Sequence, residues 1–193
     1  MDLRPPATVL QFAATLVTRN QNDKQREFVI AYYVEDRAFA IFERAIPNSG
    51  FRGGKFLQKT VVNNPKTNQP YEPSDIYIGA TVEIAGRTFC LQEASEDALK
   101  IMESRSDVFT KCDLATIMQD LRTKLSGKCP QLLVQFQSID PKKTLRVSLL
   151  ELEDILDKNG IKLGDQEFLT LFRRFQFLDT DRFNYQNFID ALV

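Results

Sequence analysis

The chain has 193 residues, 43% of them hydrophobic, a formal net charge of −1 and no histidine. That is apolar content enough for one or two ordinary cores, while interleaved charges of both signs argue against the basic field by which nucleic acid is bound. Lack of histidine removes the commonest general base and zinc ligand, which counts against catalysis. Cys90, Cys112 and Cys129 make no C-x-x-C pair, and their odd number argues against a full disulfide framework, as in a reduced, intracellular setting. Met1–Pro6 has no apolar signal core, and no run approaches the roughly 18 apolar residues of a membrane span. A soluble, non-secreted protein is expected.

In chain order, Thr8 to Thr18 reads as a strand, with Ala13-Ala14 leaving a helix open, and Asn20 to Asp23 reads as a turn. Glu27 to Val34 and Arg37 to Glu43 flank Glu35-Asp36 as a hairpin, and a strand is expected from Lys55 to Val62. Asn63 to Ser74, with three prolines, reads as a loop. Short strands follow at Ile76 to Gly79, Thr81 to Ile84 and Arg87 to Leu91, the last two joined by Ala85-Gly86. Ser95 is placed to cap a helix through Ala98, Leu99 and Met102. About seven strands and one closing helix suggest a small barrel or sandwich.

Between the third and fourth strands of this series runs Asn48-Ser49-Gly50-Phe51-Arg52-Gly53-Gly54-Lys55-Phe56-Leu57, with three glycines in five residues. Two turns account for it without any ligand. A phosphate cradle of the G-x-x-x-x-G-K-[ST] kind is excluded, since Ser49 stands at the first glycine and Phe56 at the hydroxyl position. Together with the preceding Phe39-Ala40-Ile41-Phe42-Glu43, the stretch resembles the signature of the DM-ten domain, over roughly residues 3 to 103. That resemblance implies a pleckstrin-homology-like barrel and kinship with ciliary doublet-microtubule proteins, including the EF-hand-domain C-terminal family and flagellar ribbon-compartment proteins. Because Phe51 lies in a turn with no evident core to serve, Asn48, Phe51, Arg52 and Lys55 are expected to contact a partner protein.

From Asp113 the period becomes helical. Leu114, Ile117, Met118, Leu121 and Leu125 share one face, and Pro130 suits the first turn of the next helix. Asp140 to Glu151 then forms a twelve-residue loop before a helix ending at Asn159-Gly160, the plan of an EF-hand. A second copy follows, with helices from Asp165 and from Tyr185 to Leu192. If Val147 and Phe183, 36 residues apart, pair across a short β-bridge, the two hands form one module. Calcium is not expected. Asp140 and Glu151 occupy loop positions 1 and 12, but Lys142 stands at position 3, Thr144 at position 5 and Leu145 at the glycine position. Glu151 is also explained by a capping box with Ser148. In the second loop the ungapped register places Gln176, Leu178, Thr180 and Asn187 at positions 1, 3, 5 and 12.

The sequence therefore reads as an α+β chain: a strand-rich DM-ten barrel with one closing helix over residues 1–103, a linker over 104–112 and a degenerate EF-hand pair over 113–193. The resemblance implies a non-enzymatic ciliary or flagellar component of the axonemal cytoskeleton, a microtubule inner protein contacting tubulin and neighbouring axonemal proteins. No cofactor, nucleic acid or membrane is expected. The family's members often carry several DM-ten domains before the EF-hands, whereas this chain has one and resembles their C-terminal portion. The rival readings are a calcium-responsive EF-hand module, a nucleotide-handling enzyme and a lipid-binding barrel using Arg52, Lys55 and Lys59.

Overall fold

The structure is a computed structural model that describes residues 7–193. Residues 1–6, and with them the expected N-terminal limit of the first domain, lie outside the described residues. The chain divides into two compact units, Met1–Lys111 and Cys112–Val193.

The first unit is strand-rich. Its main sheet comprises β1 (Val9–Leu16), β2 (Glu27–Tyr33), β3 (Ala38–Glu43), β4 (Gly54–Val61), β7 (Thr81–Ile84) and β8 (Arg87–Ala94). They pair antiparallel in the order β4-β3-β2-β1-β8-β7. Alternate residues point inward, as a period of two requires: Leu10, Phe12 and Ala14 on β1, Phe28, Ile30 and Tyr32 on β2, Phe39 and Ile41 on β3, and Phe89 and Leu91 on β8 are all buried. The sheet is curled. Neighbouring strands lie about 4.8 Å apart, so β4 and β8 would stand roughly 19 Å apart in a flat sheet. Yet the rings of Phe56 on β4 and Phe89 on β8 approach to 5.9 Å between centroids.

Three local expectations need correction. Ile76 to Gly79 is a turn, in which Gly79 N–H donates to the Leu91 carbonyl at 2.7 Å. Its Ile76 and Ile78 are buried, and that i, i+2 pattern mimics a strand. The proline-rich stretch contains a small hairpin of β5 (Asn63–Asn64) and β6 (Gln69–Pro70), bent by Asn64 Oδ1 accepting from Lys66 N–H and by Asn68 at φ 55°. Asn20 to Asp23 belongs to one helical turn, α1 (Gln21–Lys24), capped by Asn20. The helix after β8, α2 (Glu96–Ser104), is capped as expected by the Ser95 side chain accepting from Ala98 N–H.

The second unit is helical: α3 (Leu114–Lys124), α4 (Cys129–Ile139), α5 (Leu149–Lys158), α6 (Asp165–Phe175) and α7 (Tyr185–Leu192). Asp113 caps α3, and Ser148 with Glu151 forms the capping box of α5. Two short strands, β9 (Arg146–Val147) and β10 (Phe183–Asn184), join the loops that precede α5 and α7, with Val147 opposite Phe183 as the spacing requires. The apolar faces close on one core, in which Phe136 stacks on Tyr185 and Phe183 meets Phe172, Phe175 and Phe188. No helix among the described residues is long and apolar enough to cross a membrane.

Candidate functional site

The glycine-rich stretch leaves β3 at Glu43 and re-enters the sheet as β4 at Gly54, directly opposite Glu43. Glu43 ends the inward-facing series Phe39, Ile41, Glu43, so its carboxylate lies on the core face and needs a cation. Arg26, just before β2, supplies it. Nε and Nη2 donate to the two carboxylate oxygens at 2.7 and 2.9 Å, and Nη1 donates to Asp23 at 3.0 Å. Both partners are 8% exposed. The bond to Glu43 raises the Arg26 pKa against the opposing effect of burial. This fork geometry is the strong form of the interaction.

Phe51 covers that ion pair. Its ring centroid lies 4.3 Å from the Arg26 guanidinium carbon, with Phe28 at 5.2 Å and Phe56 at 5.9 Å. The premise that Phe51 has no core to serve is therefore overturned: a half-buried aromatic face satisfies a buried cation there. The turn is built to deliver it. Ser49 Oγ donates to the Ile46 carbonyl at 2.7 Å and accepts from Phe51 N–H at 3.2 Å. Gly53, at φ +69°, passes so close to β3 that a Cβ there would lie 2.7 Å from Ala45 N and 2.9 Å from the Glu43 carbonyl oxygen. Asn48, Arg52 and Lys55 are exposed.

In the helical unit, Asp140 and Glu151 line one cleft. The Asp140 carboxylate is buried and accepts from Thr144 Oγ1 at 2.9 Å, Leu145 N–H at 2.7 Å and Tyr185 Oη at 3.0 Å. Burial pushes its pKa up, but these hydrogen bonds outweigh burial and hold the carboxyl below its usual range. Burial first, and the hydrogen bond to Asp140 second, push the Tyr185 hydroxyl up to about 12. Glu151 Oε2 accepts from Ser148 N–H at 2.6 Å and Ser148 Oγ at 2.8 Å, which lowers its pKa. Arg182 Nη1, from the second loop, lies 3.8 Å from the same oxygen. The cationic neighbour of the position-12 carboxylate is thus an arginine of the chain itself.

The second loop keeps the ungapped register, since Phe183 pairs with Val147 and Asn184 caps α7 by accepting from Asn187 N–H. Gln176 Nε2 there donates to the Thr180 carbonyl and to Asp181, and Leu178 is fully exposed. Among the described residues, no group of three acidic or cysteine side chains is placed to hold a metal ion.

Residues 3–98 match the family model of the DM10 domain. The chain carries a DM10 domain. Along most of its length it is also similar to EF-hand domain-containing proteins. It is 31% identical over 178 residues to EF-hand domain-containing family member C2 of Bos taurus, covering 88% of this chain and 24% of that protein. It is 32% identical over 182 residues to EF-hand domain-containing protein 1 of Homo sapiens, covering 92% and 27%. The chain thus spans about a quarter of the length of the curated relatives it matches.

Within the DM10 domain, sequence reasoning finds the glycine loop but misses Arg26 and Glu43, which give Phe51 its position. The available signal is the alternation Phe39, Ile41, Glu43, which sets a carboxylate on the core face. Arg182 is likewise missed, although it immediately precedes the bridge residue Phe183.

Proposed function

We propose that this chain is a non-enzymatic structural component of the ciliary or flagellar axoneme, a microtubule inner protein that contacts tubulin and neighbouring axonemal proteins. The observation that carries this reading is the DM10 domain followed by a helical unit, in a chain similar over most of its length to EF-hand domain-containing proteins. In finer terms, the curled sheet with α2 is a pleckstrin-homology-like barrel and the helical unit is a degenerate EF-hand pair. The paired loops at Val147 and Phe183 support the latter. The buried carboxylates of both regions, Glu43 and Asp140, are engaged by their own unit, as suits a scaffold. On the DM10 domain, Asn48, Arg52 and Lys55 form the partner-facing rim of a loop pinned from beneath by Phe51. A calcium-responsive module is the alternative, and Arg182 beside Glu151 counts against it.

The test is to tag the full chain in a ciliated cell and extract axonemes with rising salt and detergent. Retention after outer axonemal proteins have left is the expected result. Early release, or no ciliary signal, would overturn the axonemal reading.

A further inference from the structure

The loop end of the helical unit carries an open cleft of about 840 Å³ whose lining combines apolar side chains with charges of both signs. Ile139, Leu149 and Leu150 line it while 41%, 37% and 73% exposed. Large apolar side chains left in water at one place mark a binding surface more often than singly scattered ones. Lys142, Arg146 and Arg182 line the same cleft.

The two signs of charge differ in what they have left to bind. Asp140 is buried and accepts from three donors of its own unit. Glu151 accepts from Ser148, and Asp181 from Gln176 at 3.0 Å. The cations are held loosely. Arg182 reaches Glu151 at 3.8 Å, Arg146 reaches Asp179 at 3.9 Å while its guanidinium lies over Phe177, and Lys142 is exposed. A guanidinium has five donors in a fixed fork, so one long contact each leaves Arg146 and Arg182 with donors to spare. Thr180 Oγ1 is buried in the cleft wall with no hydrogen-bond partner among the described residues.

We propose that this cleft is a docking site for an acidic partner segment bearing a large apolar anchor. The anchor would cover Leu149 and Leu150, and its flanking carboxylates would meet Arg146, Arg182 and Lys142. A second copy of this chain fits poorly, because it would bring the same cations face to face. A divalent cation fits poorly for the same reason. Such docking does not depend on where in the cell the chain resides.

A display library of random peptides, selected on the full 193-residue chain, tests this without presupposing a sequence. Expected are binders in which Asp or Glu flanks Leu or Phe, with affinity falling as salt rises. Leu150→Glu and Arg182→Glu should each weaken them about tenfold or more. Both residues are exposed, so an unchanged circular dichroism melt is the control, and Lys142→Glu serves as a second charge variant. Enrichment of basic or uncharged binders, binders indifferent to these substitutions, no enrichment at all, or self-association of the chain through this face would each overturn the proposal.

Discussion

In the sheet unit a buried carboxylate, Glu43, meets a buried guanidinium under three phenylalanine rings; in the helical unit a buried carboxylate, Asp140, meets two hydroxyls and one backbone N–H. The first is an ion pair: removing Arg26 leaves the buried Glu43 charge without its cation, and removing Glu43 leaves the buried guanidinium only its single bond to Asp23. The second is a lone charge whose solvation is shared by neutral donors, so that losing it strands dipoles rather than an ion. The glycine-rich loop and the loop that follows Asp140 are thus each ordered around an internal carboxylate, but their tolerance of its loss should differ.

Amide exchange by NMR reads the two units separately and can break or sharpen this contrast. The largest effect is expected from Glu43→Ala, which takes the bidentate partner from buried Arg26 and leaves it only Asp23, and should cost the sheet unit about 3 kcal/mol. Joint replacement by Arg26→Met and Glu43→Leu should recover much of that loss. If Glu43→Ala costs no more than Asp140→Asn, the contrast fails. Gly53→Ala comes next, at about 2–3 kcal/mol, because it adds a Cβ against the β3 backbone at a positive φ.

Asp140→Asn should cost the helical unit about 1–2 kcal/mol. The folded-state pKa of Asp140 lies below its unfolded value, so its contribution is complete above about pH 4, the unfolded value. It is lost as pH falls through the lower folded value, because the unfolded state then binds the proton first. An acid titration of the helical unit should therefore show weaker pH dependence in Asp140→Asn than in the parent chain. Ser148→Ala, which removes one capping hydrogen bond at Glu151 N–H, should be smallest at about 1 kcal/mol.

Much of this is written locally and can be read from the sequence. The caps at Ser95, Asp113 and Ser148 each need only a side-chain oxygen and a helix start within three residues. The Val147–Phe183 bridge follows from spacing, because two equal loops in tandem place equivalent residues at equal offsets. What is hidden depends on tertiary register. Arg26 sits at the end of a polar run and looks like a surface residue until β2 and β3 align Phe28 with Glu43. Phe51 has no visible partner in the sequence because its partner lies 25 residues upstream in another turn. Ile76 and Ile78 show the reverse failure: apolar alternation reports burial, and a turn bonded to β8 buries them as well as a strand would.

The contrast also bears on calcium. A hand that binds the ion keeps its carboxylates available as ligands, whereas here Asp140 and Glu151 are engaged by Thr144, Leu145, Tyr185, Ser148 and Arg182. The most direct test is thermal melting of the full chain with millimolar calcium and with a chelator, following the helical circular dichroism signal. Carboxylates already engaged within their own unit predict superimposable curves. A calcium-dependent rise of about 5 °C or more, abolished by Asp140→Asn, would contradict it.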